Sequence, residues 1–284
     1  MDNILHFLEH VTKDTLKLVP FLFITYLVME ALEHKTGERT HAMVKKAGRL
    51  GPVVGALVGA LPQCGFSTAA SNLFAGRVIT LGTLIAIYLS TSDEMLPIMI
   101  SENIPVTTIL GILGIKVLIG ILAGLLIDVI LSGRKDEHNH IHEMCEEENC
   151  HCERGIWYSA FVHTLHITLF IFLINLVMDL LIHSIGEEVL GQIILNKPVL
   201  GQVVAGLVGL IPNCASSVVI TELFLEGTLS FGAMMSGLLV NAGVGVLVLF
   251  RVNKDKKENL KILGLLYVIG VIAGIILGSL PITF

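Results

Sequence analysis

Residues 51–64 read GPVVGALVGALPQC, and residues 201–214 read GQVVAGLVGLIPNC. The two stretches align without a gap at an offset of 150 residues, and both carry Pro-x-Cys at the same place. Further along at that offset, Gly82 matches Gly232. Internal repeats of this kind are the usual construction of secondary transporters. The sequence therefore predicts a chain made of two homologous halves.

The composition predicts a multi-pass protein of the cytoplasmic membrane, surrounded by the lipid bilayer. The chain of 284 residues is 54% hydrophobic and only 15% charged, and its mean hydropathy is +0.81. A soluble domain normally carries about 25% charged residues. Apolar runs close to the roughly 20 residues that cross a bilayer as a helix lie at 16–32, 104–131, 157–185, 230–250 and 262–280.

The repeated segments, residues 51–75 and 201–225, are each interrupted at Pro-x-Cys. Each arm has about eleven residues, too few to cross alone, so a segment is either one broken spanning helix or a re-entrant hairpin. Hairpins invert the two halves and place fourteen Lys and Arg inside the cell against three outside. Broken spanning helices give parallel halves and at best eleven against six. The positive-inside rule favours the hairpins, and parallel halves are the alternative.

We therefore predict an all-α polytopic membrane protein of two inverted structural repeats. Each repeat has three spanning helices and one re-entrant or broken helical hairpin, which gives about ten helical segments. The first membrane repeat covers residues 1–131 and the second covers residues 156–284. Residues 132–155 form a cytoplasmic, acidic linker rich in His and Cys.

The tips of the two hairpins are predicted to meet near the middle of the membrane. A Pro removes an amide donor and breaks a helix, and irregular backbone at that depth is tolerated only where it is buried in protein or lines a cavity. Carbonyl groups before each tip suit a cation, and the helix N-terminus after it suits an anion. The residues predicted to bind the transported ion are Gln63, Cys64, Ser67, Asn213, Cys214 and Ser217. In the alternative, Pro-x-Cys is only a structural break with small buried thiols.

The third helix of the first half is predicted over residues 78–100, by alignment with the run 230–250. Its polar residues predicted to bind the ion deep in the bilayer are Ser90, Thr91, Asp93 and Glu94. Intramembrane acids cost several kcal/mol and are candidates for function, and hard oxygen ligands suit Mn, Mg or Ca. The second half has Asn241 in the equivalent stretch, so the site is expected to be asymmetric. In the alternative, the helix ends at Leu89 and both acids lie in an outer loop.

Four other charged residues are weaker candidates for ion binding: Glu30, Lys116, Asp179 and Glu222. Lys116 would pair with one of the two intramembrane acids or act as a proton-linked switch, since a buried Lys shifts its pKa readily. Glu30 and Asp179 are repeat partners, and each precedes a His by four residues on one helix face. Their position near helix ends also fits ordinary interfacial charges.

The linker contains a tract of metal-binding residue types. Its His and Cys residues are His138, His140, His142, Cys145, Cys150, His151 and Cys152. Short tracts of this kind bind soft or borderline metals, although the spacing is not that of a folded zinc finger. We expect a metal-collecting or sensing segment that transport does not require. The alternative is a solvated linker of accidental composition.

Three blocks carry a resemblance to a known family: LPQCGFS at residues 61–67, STSDEMLP at residues 90–97 and IPNC at residues 211–214. They resemble the ten-helix (10TM) heavy-metal exporters, labelled arsenic efflux proteins or manganese transporters. The resemblance covers nearly the whole chain, and its helix count agrees with six spans plus four hairpin arms. It implies export of a metal or metalloid.

We expect a secondary transporter that exports a divalent transition metal, with manganese first, using Asp93, Glu94 and Asn241 as oxygen ligands. No Gly-x-x-x-x-Gly-Lys-Ser/Thr motif for ATP occurs in the sequence, so an ion gradient is the expected energy source. The first alternative is efflux of an arsenical, with Cys64 and Cys214 as soft ligands.

Alternatives of a different class are a membrane metal sensor and a membrane-embedded enzyme. The sequence has no His-Glu-x-x-His motif, and we expect no catalysis. We expect no required cofactor, only the transported metal ion and metal bound in the linker. The formal net charge of −6 argues against a nucleic-acid partner. A homo-oligomer is compatible with the sequence.

Overall fold

The computed structural model describes residues 50–62, 64–131, 156–185 and 199–280, together with the scattered residues 12, 15–16, 19–20, 22–24 and 26–27. Within these ranges the chain forms helices and no strand, as the sequence predicted. The helices are α1 (Gly51–Gly59), α2 (Cys64–Ala75), α3 (Leu81–Ser90), α4 (Met95–Ser101), α5 (Val106–Leu131), α6 (Ile156–Ile185), α7 (Leu200–Gly209), α8 (Cys214–Leu225), α9 (Phe231–Val240), α10 (Gly245–Val252) and α11 (Lys256–Ser279).

The predicted interruptions at the two Pro-x-Cys sequences are confirmed. In the first half α1 ends at Gly59 and α2 begins at Cys64, and in the second half α7 ends at Gly209 and α8 begins at Cys214. The Pro that precedes each Cys cannot donate a backbone hydrogen bond, so neither helix can continue through it. Each half therefore contains two short helices in place of one long one.

The predicted continuous helix over residues 78–100 is wrong, because the chain is broken inside it. Thr91 has an extended backbone with ψ at 126°, and Asp93 has φ at +23°, which no right-handed helix allows. The alternative placed the helix end at Leu89, within one residue of the observed end at Ser90, but its exposed loop is not what the structure shows for Asp93. Asp93 is only 4% exposed, and the apolar helix α4 follows directly. The acid therefore lies within an interrupted span.

The second half contains the same break, which the sequence analysis also missed. There α9 ends at Val240 and α10 begins at Gly245. Asn241 is extended, with ψ at 105°, and Gly243 has φ at +55°. The internal repeat therefore extends to a second interruption in each half, 150 residues apart.

Four segments of the described ranges are long and apolar enough to cross a membrane. They are Leu81–Ser101, Val106–Leu131, Phe231–Val252 and Lys256–Ser279. The first and third are the interrupted pairs α3–α4 and α9–α10. The predicted run 157–185 forms the helix α6, whereas most of the predicted run 16–32 lies outside the described residues.

Contacts along α1 show the direction in which it runs. Gly51 faces Thr83 and Gly59 faces Ser90, so α1 and α3 run parallel and begin at the same level. The intervening α2 must therefore lead the chain back to the level at which α1 began. This is the path of a helical hairpin whose two ends lie at the same level of the molecule.

Close glycine contacts join α3 to α5 and α9 to α11. A Cβ on Gly82 would lie 2.2 Å from the carbonyl oxygen of Gly124, and one on Gly232 would lie 2.6 Å from that of Gly274. Since real Cβ atoms do not approach so closely, only glycine permits this packing. The matched glycines of the two halves thus hold equivalent helix pairs together.

Two pairs of helices pack across the boundary between the halves. Helix α2 of the first half packs on α10 of the second, and α8 of the second half packs on α4 of the first. A continuous core of buried apolar side chains runs through both halves. The Tyr26 hydroxyl donates to Asn72 Oδ1 at 2.8 Å, which ties the first helical segment to α2.

Candidate ion-binding site

The interruptions of the two halves lie close to one another. Lys116 extends from α5, and its Nζ donates to the carbonyl oxygen of Thr91 and to that of Leu238, at 2.9 Å. Thr91 follows the last residue of α3, and Leu238 lies in the last turn of α9. One ammonium group therefore joins the ends of two broken helices from opposite halves. We call this region the crossing.

Asp93 adds a negative charge beside this ammonium group. Asp93 is 4% exposed and Lys116 is 1% exposed, and the Asp93 carboxylate is near enough to interact with the Lys116 charge. Burial of either charge alone would cost several kcal/mol, so the two stabilise each other. The structure thus brings together two residues that the sequence analysis had considered as a pair.

Three hydroxyl groups surround the first break. Ser90 Oγ and Thr91 Oγ1 both donate to the carbonyl oxygen of Ile87, at 3.0 and 2.8 Å. Ser92 Oγ donates to the carbonyl oxygen of Ala60 at 2.7 Å, which fastens the break to the first hairpin tip. A hydroxyl that donates its proton to a carbonyl keeps two lone pairs as acceptors. These oxygens are therefore suited to a cation.

The second break is fastened to the second hairpin tip through different side chains. Asn241 Nδ2 donates to Ser216 Oγ at 3.1 Å, and Ser216 Oγ donates to the carbonyl oxygen of Asn213 at 2.8 Å. The amide of Gly243 donates to Asn241 Oδ1 at 2.7 Å. The Asn241 side chain therefore shapes the break and ties it to the second tip.

Asn213 is the N-cap of α8. Its Oδ1 accepts a hydrogen bond from the amide of Ala215 at 3.2 Å, which satisfies one of the amide donors that a helix start leaves over. Cys214 follows it and is half-buried. Ser217, one turn further, is buried, and its Oγ donates to the carbonyl oxygen of Cys214 at 2.7 Å. The second tip thus presents a capped helix start with one thiol.

A polar contact between the halves was missed by sequence reasoning. The Ser71 hydroxyl lies 2.7 Å from Tyr88 OH and 2.7 Å from the carbonyl oxygen of Gly245, the first residue of α10. Ser67, which the sequence did predict, lies one turn before Ser71 and is fully buried. The available signal was the four-residue spacing of two serines on α2, which places both on one helix face.

Two other predicted residues are less buried than Asp93. Glu222 is exposed on α8, and Glu94 is only partly buried. The remaining predictions fall outside the described residues or on side chains that the structure does not describe, namely Gln63, Cys64, Glu30, Asp179 and the seven His and Cys residues of the linker.

The residue types at the crossing bear on which ions it can hold. Across the described ranges, no group of three or more His, Cys, Asp or Glu is close enough to hold a metal ion. Among the described residues, the groups that could hold a cation at the crossing are Asp93 and neutral oxygens from hydroxyl, amide and carbonyl groups. Such oxygen sets suit hard cations better than soft ones.

Interrupted membrane spans around buried polar groups define a multi-pass membrane protein of the transporter class. A family model described as "Putative, 10TM heavy-metal exporter" matches residues 4–189, more than half of the chain. The chain belongs to this family, whose description is that of an exporter. The match ends before the block at residues 211–214, so it covers less of the chain than the sequence analysis expected. No curated protein and no solved structure matches the chain.

Proposed function

We propose that this protein is a secondary transporter that exports a divalent transition metal across the cytoplasmic membrane, with manganese as the preferred ion. The observation that carries the proposal is the carboxylate of Asp93, buried at the interruption of a membrane span. An acid at that depth is costly and rare, and such acids mark ion pathways. Membership in a family of heavy-metal exporters supports the same conclusion.

The backbone of Asp93 supports a functional role independently. Its φ of +23° is uncommon for a residue with a side chain and costs of order 1 kcal/mol or more. The second half has Gly243 in the matching place, where that cost does not arise. A strained acid at a position suited to glycine is expected where the carboxylate itself is needed.

The oxygen-rich character of the crossing supports manganese as the substrate. Mn²⁺ prefers carboxylate, carbonyl and hydroxyl ligands, whereas soft ions prefer thiolates. Asp93 would supply the charge, and Thr91, Ser92 and Asn241 would supply neutral oxygens. Lys116 would balance the charge of Asp93 while no ion is bound.

We also propose that the two halves are inverted in the membrane. Arg77 follows α2 at the level where α3 begins, and it forms a two-pronged ion pair with Glu258, at 2.9 Å for each contact. Glu258 lies in the first turn of α11, directly after α10 ends. The span α3–α4 therefore begins at the end of the molecule where the span α9–α10 finishes. This arrangement supports opposite directions for the two spans. The division into repeats of residues 1–131 and 156–284 belongs to this proposal.

The experiment that tests the metal site compares efflux by single variants in proteoliposomes loaded with Mn²⁺. Asp93→Asn should slow manganese efflux at least about tenfold, as the loss of a ligand or of a ligand's partner typically does. Glu102→Gln is the matched control, because this acid is exposed after the end of α4 and its loss should leave efflux unchanged. Full manganese efflux by Asp93→Asn would contradict the proposal.

A second candidate function is efflux of a trivalent arsenical. The observation in its favour is Cys214, a half-buried thiol at the tip of the second hairpin, since thiolates are soft ligands. If this function holds, Cys64→Ser combined with Cys214→Ser abolishes arsenite resistance of expressing cells, and Asp93→Asn does not. If the manganese proposal holds, Asp93→Asn abolishes manganese resistance and the double Cys variant does not.

We further propose that the His and Cys residues of the linker bind metal without being needed for transport. The composition of residues 138–152, with four His and three Cys among acidic residues, supports metal binding. Deleting this segment should remove bound metal from the purified protein while manganese efflux continues. Complete loss of efflux would assign the linker an essential role in delivery.

A further inference from the structure

The exposure pattern of α11 identifies the face that it turns to the lipid. Every fourth residue is exposed, and the set comprises Leu260, Gly264, Val268, Ile272 and Ile276. The apolar members are 50–64% exposed, and a Cβ on Gly264 would touch nothing within 4 Å. In a membrane-spanning helix an apolar stripe without protein neighbours faces acyl chains.

The matched helix α5 has the same stripe in the same register. Its exposed residues are Leu110, Gly114, Leu118, Leu122 and Leu126, each 150 residues before its counterpart on α11. A Cβ on Gly114 would likewise touch nothing within 4 Å. Because the two stripes match, the residues that precede them can be compared directly.

At the start of the α11 stripe lies a group of exposed cations that we call the basic collar. It comprises Arg251, Lys254, Lys256, Lys257 and Lys261. Lys256 precedes Leu260 by four residues and so lies on the lipid-facing stripe itself. At the start of the α5 stripe, residues 101–108 read SENIPVTT and contain no cation. The collar therefore does not follow from the repeat.

The two acids within the collar are engaged by the protein. The Asp255 carboxylate caps α11, accepting from the amides of Lys257 and Glu258 at 2.9 and 3.1 Å, and it also attracts the side chains of Lys257 and Lys261. Glu258 is held by Arg77 and by Asn253 Nδ2 at 2.8 Å. Since Glu258 is paired with Arg77, the five cations outnumber the one remaining acid, Asp255, and the collar keeps a net positive charge.

We propose that the basic collar binds the phosphate headgroups of anionic phospholipids, whose acyl chains lie along the α11 stripe. Clusters of four to eight Lys and Arg at the end of a membrane helix attract anionic lipid in this way. Continuity with the apolar stripe favours a lipid over a soluble phosphate, because the stripe gives the acyl chains a surface beside the headgroup. The proposal rests on the membrane placement of the chain and not on the identity of the transported metal.

The test measures thermal unfolding of the full-length protein in mild detergent during addition of phosphatidylglycerol or phosphatidylcholine with the same acyl chains. The unfolding temperature of the unaltered protein should rise with phosphatidylglycerol and not with phosphatidylcholine. In Lys256→Gln/Lys257→Gln/Lys261→Gln at least half of that rise should be lost. The matched control Arg134→Gln/Lys135→Gln/Arg154→Gln removes the same charge from the linker and should keep the full rise.

Two further measurements make the result decisive. The charge-preserving variant Lys256→Arg/Lys257→Arg/Lys261→Arg should respond like the unaltered protein, which separates loss of charge from loss of fold. Inorganic phosphate should give no comparable rise, and an equal rise would show a soluble-anion site and overturn the lipid proposal. An undiminished response of the Gln variant overturns it too. Manganese efflux of the Gln variant in phosphatidylcholine vesicles should be normal, so failure here is distinct from failure of the metal site.

Discussion

The two halves have matching backbone conformations but differ in where they carry charged side chains. At the offset of 150 residues, Arg77 corresponds to Gly227 and Asp93 to Gly243. All four residues have positive φ, at 57° and 75° for the first pair and 23° and 55° for the second. The second half uses glycine where the backbone demands it, whereas the first half accepts strain to place charged side chains.

Two further positions follow the same pattern. Lys116 corresponds to Leu266, and Asp128 corresponds to Gly278. Asp128 Oδ1 accepts from the amide of Gly82 at 2.9 Å and so caps the start of α3 from a neighbouring helix. At these four positions the first half thus carries a charged side chain where the second half has glycine or leucine.

The largest effect is expected from replacing Lys116 with its counterpart. Lys116→Leu removes the cation from two carbonyl groups and from the buried Asp93 carboxylate. Breaking a buried charge pair on one side typically costs 3–5 kcal/mol, so we expect a large fall in stability and no manganese efflux. Thermal unfolding in detergent and efflux from proteoliposomes measure the two effects.

The double variant Asp93→Gly/Lys116→Leu sharpens this prediction, because it gives both positions the residues of the second half. No charge is left at the crossing among the described residues, and the strained φ is occupied by glycine, so most of the lost stability should return. Efflux should stay absent. Recovery of efflux in the double variant would show that neither charge belongs to the transport site.

The next largest effect is expected at the close glycine contacts that both halves have in common. Gly82→Ala places a methyl group against the backbone of Gly124, and overpacking of this kind typically costs 1–3 kcal/mol. Gly232→Ala should behave in the same way in the second half. Gly114→Ala is the control, because nothing lies within 4 Å of its Cβ position, and its unfolding temperature should not fall, since alanine is the better helix former. Equal effects at Gly82 and Gly114 would refute the proposed packing.

A smaller effect is expected at the ion pair between Arg77 and Glu258. Their side chains are 23% and 24% exposed, and a partly exposed two-pronged pair is worth about 1 kcal/mol. A double-mutant cycle with Arg77→Gln and Glu258→Gln should return a coupling energy of that size. Arg77→Gly should cost less than Arg77→Gln, since glycine relieves the left-handed strain. The reverse order would show that strain at Arg77 is negligible.

The smallest effect concerns the start of α11, where the first half has Pro105 and the second has Asp255. The amide of Glu258, and that of Lys257 with nearby Lys charges, lower the pKa of the Asp255 carboxyl below its usual range. The stabilisation by the charged form is therefore present above the ordinary pKa of Asp, about 4, and is lost as the pH falls through the lowered value.

Asp255→Asn should accordingly unfold at a slightly lower temperature than the unaltered protein at pH 7. The difference should shrink as the pH is lowered below about 4. Thermal unfolding across a pH series measures it. A difference that stays constant over the series would mean that the carboxylate charge contributes nothing to this cap.

The hairpins could be predicted from sequence because their signals are local. A Pro within a Gly-rich apolar segment interrupts a helix wherever it lies, and the segment occurs twice. The break at residues 91–94 carries no such signal, since the serines and Thr91 around Asp93 are tolerated inside a membrane helix. The clue was indirect: Asp93 aligns with Gly243, and a glycine in an apolar helix often marks a special backbone conformation.

The acidic residue of the candidate site could be predicted as well, because an acid in an apolar run is conspicuous. The contacts of Lys116 with Leu238, and of Ser71 with Gly245, could not. Each joins residues more than 100 positions apart, and they depend on how the two halves pack. Periodicity within one helix predicts which face is buried but not which residue of a distant helix lies against it.

The two helices of each interrupted span, before and after the break, pack mainly against different helices. Helix α9 packs along α7 and α11 of its own half, whereas α10, the continuation of the same span, packs on α2 of the other half. A joint therefore already exists at residues 241–244, where no helical hydrogen bonds have to be given up for the chain to bend. A bend at these residues would therefore move α10, together with α2 of the other half, relative to α7, α9 and α11.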